Sequence, residues 1–229
     1  VIVATGAFQA PALPPFAADL DPAIVQLHSS AYRNPAQLPD GPVLVVGAGN
    51  SGAQIALELA ASREVWLAGP DVGHLPRRLL GKDVYWWIWR PLLSVSLDAR
   101  LGRSLKAKRG TGGDPLVGFD LRKVAPQGLR RVGRVKGAAN GRPVLDDGTV
   151  PDAAAVVWCT GFRPDFGWIR PDACDANGHP RHVRGVAAGT PGLYFLGLRF
   201  LYRMNSSLIG GVGADAEYVA AHVAGRRAS

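Results

Sequence analysis

The chain has 229 residues, 47% of them hydrophobic and 19% charged, and 26 Lys and Arg outweigh 18 Asp and Glu to leave a net charge of +8. That length holds one large domain or two small ones, and the apolar share supports a sizeable core, which excludes a disordered or fibrous chain. No apolar run is long enough to span a bilayer, and Cys159 and Cys174 are too few for a secreted disulfide framework, so a cytoplasmic protein without a transmembrane segment is expected. The chain opens directly on a strand-like run, with no leader pattern and no initiator Met, so the parent protein is expected to begin upstream.

In chain order, Val1-Ile2-Val3 reads as a buried strand ended by Ala4-Thr5-Gly6. Residues 9–22, with Pro11, Pro14, Pro15 and Pro22, read as an extended connector, because proline lacks the amide hydrogen that helices and ladders use. Residues 24–27 form a short strand before His28-Ser29-Ser30-Ala31-Tyr32, and residues 35–42 a second linker. The apolar run Val43-Leu44-Val45-Val46 then enters Gly47-Ala48-Gly49-Asn50-Ser51-Gly52. A helix over 53–61 follows, with Gly52, Ala56 and Leu59 on one face and Ile55 beside them; residues 64–68 are the next strand. Residues 71–116 read as an insertion with one or two helices, holding the aromatic run Val84-Tyr85-Trp86-Trp87-Ile88-Trp89 and a basic helical stretch over 97–108. Asn140-Gly141 and Asp147-Gly148 are hairpin-turn signals. Residues 153–158 form a buried strand ended by Cys159-Thr160-Gly161, and residues 193–196 another. Gly210-Gly211-Val212-Gly213 opens a last helix with Val212, Ala216, Val219, Ala220 and Val223 on one stripe.

The strand–G-x-G-x-x-G–helix order is the phosphate-binding turn of a dinucleotide fold. Gly47 permits the tight turn, Gly49 lets backbone N–H groups approach a pyrophosphate, and Gly52 allows close helix packing. At the end of the following strand, Asp71 suits the ribose 2′-hydroxyl of NAD, whereas Arg77 and Arg78 suit the 2′-phosphate of NADP. The basic stretch with Arg103, Lys106, Lys108, Arg109, Arg122, Lys123, Arg130, Arg131 and Arg134 carries no interleaved aromatics and no nucleic-acid motif, so it reads as a solvated face with a few phosphate contacts. His28 has no second ligand at metal spacing and reads as a group that orients a linker; no metal site is expected. Cys159 has no C-x-x-C partner and reads as core packing. The tryptophan run suits an apolar substrate channel, a membrane surface or, as the plainest reading, a packed insertion over a domain junction. Ala4-Thr5-Gly6 and Cys159-Thr160-Gly161 close two apolar strands in the same way, as if the chain left one parent domain and returned to it.

Taken in order, these motifs resemble the flavin-containing monooxygenase family (class B flavoprotein monooxygenases, including bacterial CzcO-type relatives). The matching residues are Ala4-Thr5-Gly6, His28-Ser29 with Tyr32, residues 47–52, Cys159-Thr160-Gly161-Phe162-Arg163-Pro164, Pro191-Gly192-Leu193-Tyr194-Phe195-Leu196-Gly197 and Gly211-Val212-Gly213-Ala214-Asp215-Ala216. The resemblance implies an α/β chain with a Rossmann-like NAD(P)-binding domain inserted into a partial FAD-binding domain, in three layers around a mainly parallel sheet. Residues 1–40 would be an FAD-domain strand and linker, 41–165 the NAD(P)-binding domain with the 71–116 insertion, and 166–229 the return into the FAD-binding domain. It implies hydride transfer from NADPH to FAD, then oxygenation of a small-molecule substrate by molecular oxygen through a C4a-hydroperoxyflavin, chemistry that the cofactors run. No side chain is assigned a catalytic role. Gly47, Gly49, Asn50, Ser51 and Gly52 would hold the NADPH pyrophosphate. Arg77 and Arg78 would hold its 2′-phosphate, and Thr5, Gly6, Thr160 and Gly161 would line the domain junction. Asn205, Ser206 and Ser207, with the helix start around Gly213 and Asp215, would face the flavin.

Three features depart from the family pattern. The N-terminal FAD fingerprint is absent, Pro22 and Ile24 replace the Phe and Gly of F-x-G-x-x-x-H before His28, and Pro70 stands where relatives carry Arg. The first makes an N-terminally truncated chain the expectation, and two further classes stay open: a flavin reductase of the same superfamily, or a non-catalytic NAD(P)-binding remnant. Nothing in the sequence sets an oligomeric state.

Overall fold

The computed structural model describes residues 1–109, 114–118, 120–121, 128–170 and 173–227. Arg122 and Lys123 of the basic stretch, and residues 110–113 of the expected insertion, lie outside the described residues. The main elements in chain order are β1 (Ile2–Val3), β2 (Val25–His28), β3 (Val43–Val46), α1 (Asn50–Leu59), β4 (Val65–Ala68), α2 (Val84–Ile88), α3 (Arg100–Arg109), β5 (Leu129–Val132), β6 (Val135–Ala139), β7 (Arg142–Leu145), β8 (Ala155–Trp158), β9 (His182–Val183), β10 (Val186–Ala187), β11 (Tyr194–Phe195) and α4 (Val212–Arg227). They divide between two compact units. A terminal unit joins Val1–Ala10, Lys82–Thr111 and Phe162–Ser229, and a central unit joins Pro11–Gly81 and Gly112–Gly161. The segment 82–111, most of the expected insertion, groups with the terminal unit.

The central unit is built on a five-stranded sheet in the order β5-β4-β3-β8-β2, parallel throughout. A parallel sheet is covered on both faces, so its inner strands are apolar at every position, as Val43-Leu44-Val45-Val46 and Ala155-Val156-Val157-Trp158 are. Val43, Val45, Val65, Leu67 and Val157 pack under α1, which presents Ala53, Ala56 and Leu59 to them. Alanines at two of those helix positions bring the helix axis close to the sheet. Leu44, Val46, Val156 and Trp158 face the other way, onto Ala17 and Leu20 and onto Leu145 of β7. Each fully buried leucine or valine contributes about 1.5–3 kcal/mol. The β6–β7 hairpin turns at Asn140 and Gly141, whose φ angles of 50° and 74° are the pair of positive values that a two-residue type I′ turn requires. Trp158 also donates from Nε1 to Gln26 Oε1 at 3.0 Å, which ties β8 to the edge strand β2.

The terminal unit carries a four-stranded sheet, β1-β11-β10-β9, in which β1 and β11 are parallel and the remaining pairs antiparallel. Val3, Phe166, Ile169, Phe195, Leu198 and Leu201 form its core. Four expectations change here. The first strand is an edge strand: Val3 is buried, but Ile2 is half exposed. The helix read over 97–108 begins at Arg100. The aromatic run forms the short helix α2, started by Asp83, whose carboxylate accepts the Tyr85 N–H at 3.0 Å. Trp86 on it is 57% exposed, so the run is not the packed layer expected of it. On α4 the buried face centres on Asp215 and Val219, while Ala220 of the expected stripe is exposed. Among the described residues no helix is long and apolar enough to cross a membrane.

Candidate functional site

The carboxyl ends of β3 and β8 lie side by side, and the chain leaves β3 toward β4 on the opposite side. That reversal of strand order is where open α/β sheets bind ligands. Gly47 turns there with φ +110°, and a Cβ on it would stand 2.3 Å from the Cys159 carbonyl oxygen. A Cβ on Gly52 would stand 1.7 Å from the Gly47 carbonyl oxygen. Both positions therefore require glycine for packing within the protein. Gly49 differs: a Cβ there would meet nothing within 4 Å. Gly49 is the N-cap of α1 and offers no side chain to the first amides, and the first turn holds no acidic residue. Open space in front of uncapped N–H groups at the positive end of a helix dipole suits an anion, and it is the fit that a pyrophosphate needs.

The two polar side chains of the fingerprint part ways. Asn50 turns back into the protein, its Nδ2 donating to the Pro115 carbonyl and its Oδ1 accepting the Val117 N–H, each at 3.2 Å. Ser51 is exposed and lines a pocket of about 310 Å³ along the flank of α1, with Ser29, Tyr32, Arg33, Gln54 and Glu58. In it the Tyr32 hydroxyl donates to Glu58 Oε2 at 3.1 Å. Burial, then the hydrogen bond and charge of Glu58, push the phenol's ionisation well above its usual range, against a smaller pull from Arg63.

At the end of β4, Asp71 accepts the Gly73 N–H at 2.9 Å and pairs with Arg131 at 3.5 Å. Arg131 arrives on β5, which pairs with β4 so that Arg131 lies opposite Leu67. The sequence reading did not single out Arg131 at this edge. Its only local signal was the basic stretch; its neighbour across the sheet is set by pairing between distant segments. Arg77 and Arg78 are both exposed beyond Asp71, Arg77 in a bend and Arg78 in the short strand Arg78–Leu79.

Within the same unit, His28 donates from Nε2 to the Gly161 carbonyl at 2.9 Å, while its Nδ1 takes the Ser30 N–H at 3.2 Å, which assigns the tautomer. Thr160 donates its hydroxyl to the Ala12 carbonyl. His28, Thr160 and Gly161 are thus engaged in joining connector to sheet. Burial pushes the Cys159 thiol up to about 12, with the Ser29 hydrogen bond opposing, so Cys159 is a packing group and not a nucleophile at neutral pH.

In the terminal unit, Thr5 accepts from Gln9 Nε2 at 2.6 Å, and Gly6 turns with φ +77°. Ser206 is fully buried and its Oγ accepts the N–H groups of Tyr202 and Arg203. Asn205 donates to Ser94 Oγ at 3.1 Å, but its Oδ1 and both oxygens of Asp215 are buried without a hydrogen-bond partner. Ser207 is partly exposed, and a Cβ on Gly213 would meet nothing within 4 Å. Unpaired buried acceptors beside an open helix start suit a ligand that donates, as the hydroxyl and N–H groups of a flavin nucleotide do.

The profile of the pyridine nucleotide-disulphide oxidoreductase family matches residues 1–72. A CzcO-like oxidoreductase of Geobacillus kaustophilus is 44% identical over 223 residues, covering 96% of this chain and 63% of the relative. A double variant of a flavin monooxygenase from Stenotrophomonas maltophilia superposes with a TM-score of 0.69 at 25% identity, over 98% of this chain and 62% of that one. An ornithine N-hydroxylase from Kutzneria sp. 744, in a structure with reduced FAD, NADP+ and L-ornithine, matches in fold with a TM-score of 0.62 at 19% identity, over 100% of this chain and 64% of that one. The chain thus spans somewhat under two thirds of the length of its relatives. Over nearly its whole length it is similar to CzcO-like oxidoreductases and, in fold and more weakly in sequence, to flavin monooxygenases.

Proposed function

We propose that this chain is the pyridine-nucleotide part of an NADPH-dependent flavoprotein monooxygenase. The observation that carries the reading is the cradle at Gly49: two neighbouring glycines are required by packing, and this one opens onto the amides of α1. When bound, NADPH supplies hydride to FAD, and the reduced flavin with oxygen supplies one oxygen atom to a small substrate. The chain's own contribution is to bind and orient. The backbone of residues 47–52 takes the pyrophosphate, with the Ser51 hydroxyl at its edge. Arg131, Arg77 and Arg78 offer guanidinium groups for a 2′-phosphate, and Asp71 holds Arg131 in place. Asn205 and Asp215 offer acceptors to the flavin. The buried thiol of Cys159 adds no competing redox group.

The test is the visible spectrum of the purified chain with FAD supplied, before and after NADPH, beside a calorimetric titration with NADP+. A flavin band that bleaches supports the full reading. NADP+ binding without flavin uptake restricts this chain to nucleotide binding and moves the oxygenation to a longer protein. Absence of both flavin uptake and NADP+ binding would overturn the reading.

A further inference from the structure

We propose that Asn50 is a positioning residue. Its amide ties the phosphate-binding turn to the loop that carries Arg77, and so sets the preference for a 2′-phosphorylated dinucleotide. The inference rests on the nucleotide reading above and goes beyond it. A polar side chain at the first position of α1 is expected to face the bound pyrophosphate. In this chain both ends of the amide are spent elsewhere, on the Pro115 carbonyl and the Val117 N–H. Those two groups flank Leu116, so the side chain acts as one partner in a β-ladder, joining helix to strand.

The strand it holds is the second link. Leu116–Val117 pairs in parallel with His74–Leu75, the Leu116 N–H donating to the Gly73 carbonyl and the Gly118 N–H to the Leu75 carbonyl, each at 3.0 Å. His74 and Asp120, 3.5 Å apart, brace the same pair. Leu116 is buried in the core cluster that includes α1, which seats the strand against the helix. The third link is Arg77, two residues beyond Leu75. A Cβ on Gly118 would stand 3.4 Å from the Arg77 Cβ, so the arginine stem lies along the end of the held strand. An unbroken run of hydrogen bonds and close contacts therefore joins the amides meant for the pyrophosphate to a guanidinium meant for the 2′-phosphate. A dinucleotide spans those two points with fixed covalent geometry, and a charge-assisted bond is lost when its donor shifts by about 1 Å. NAD, which lacks the 2′-phosphate, is indifferent to that spacing.

The experiment is calorimetric titration of the full chain and of Asn50→Ala with NADP+, NAD+ and adenosine 2′-monophosphate, a probe too short to reach the turn. The expected result is NADP+ weakened about tenfold, with adenosine 2′-monophosphate and NAD+, each of which touches only one of the two points, changed less than about twofold. A double variant with Arg77→Ala should bind NADP+ no more weakly than Arg77→Ala alone, because the two changes remove one interaction. Equal weakening of NADP+ and NAD+ with the short probe unaffected would place the Asn50 amide on the pyrophosphate and overturn the proposal. Unchanged selectivity would overturn it as well. Should Asn50→Ala not fold, Asn50→Asp keeps the acceptor for Val117 and loses the donor to Pro115, and the NADP+ to NAD+ ratio is read on it. Failure of the unaltered chain to bind either dinucleotide would remove the nucleotide reading itself, a result distinct from binding with unaltered selectivity.

Discussion

At the turn over residues 47–52 the central unit engages both ends of the Asn50 amide internally, whereas the terminal unit keeps Asn205 Oδ1 and both Asp215 oxygens buried without a hydrogen-bond partner. The sheets differ in the same sense. One has five parallel strands covered on both faces, and the other has two-residue strands with a half-exposed first edge. A unit of the first kind holds its shape before any ligand arrives, and its site is preformed. A unit of the second kind gains stability from whatever completes its hydrogen bonds, so its fold and its ligand are linked.

The sharpest way to break this comparison is at Gly52. Gly52→Ala drives a methyl group into the Gly47 carbonyl, and the central unit should lose about 3 kcal/mol or more in urea unfolding. An unchanged midpoint would mean that the turn relaxes and is not preformed. Gly49→Ala separates folding from binding: with open space around it, stability should move by no more than about 0.5 kcal/mol, while NADP+ affinity in a titration falls more than about tenfold. In the terminal unit, Asp215→Leu replaces an unpaired buried carboxylate with an apolar group of similar size. The unfolding free energy from urea titration should hold or rise, by up to about 1 kcal/mol, while FAD uptake followed by fluorescence quenching declines. A marked loss of stability would show Asp215 to be satisfied within the unit and would erase the contrast.

The smallest effect concerns pH. Burial, then the charge of Lys106, hold His182 below its ordinary value of 6.5, and Asp215 pulls the other way. The folded unit thus favours the neutral ring and the unfolded chain takes the proton more readily. The stability His182 contributes is complete above pH 6.5 and is lost as pH falls from there through the folded value. Unfolding followed from pH 7.5 to 5 should show this decline, and His182→Asn should flatten it.

What could be read from the sequence was what is local. The turn at residues 47–52 and the Asn140-Gly141 hairpin each declare themselves within a few positions, through the backbone angles only glycine or asparagine takes easily. The partners of Asn50 lie 65 and 67 positions away, and no spacing rule points to them. Arg131 beside Asp71 depends on the register of β5 against β4, which the core chooses. On α4, apolar periodicity found Val219 but included Ala220 and passed over Asp215, because a helical stripe counts apolar residues and is blind to a buried charge-bearing one.

The place of β2 has a consequence for how the protein comes to be. Val25–His28 completes the sheet only by lying along Ala155–Trp158, and Trp158 reaches Gln26 across 132 positions of chain. During synthesis the early strand emerges roughly 6 to 25 s before its neighbour, at ordinary elongation rates. Closing so long a loop is slow, and until then the alternating segment Val25-Gln26-Leu27-His28 waits with its backbone unpaired. Pro22 and Pro35, which lie outside the strand and offer no amide hydrogen of their own, limit how far another chain could extend a pairing beyond it while it waits for its partner strand.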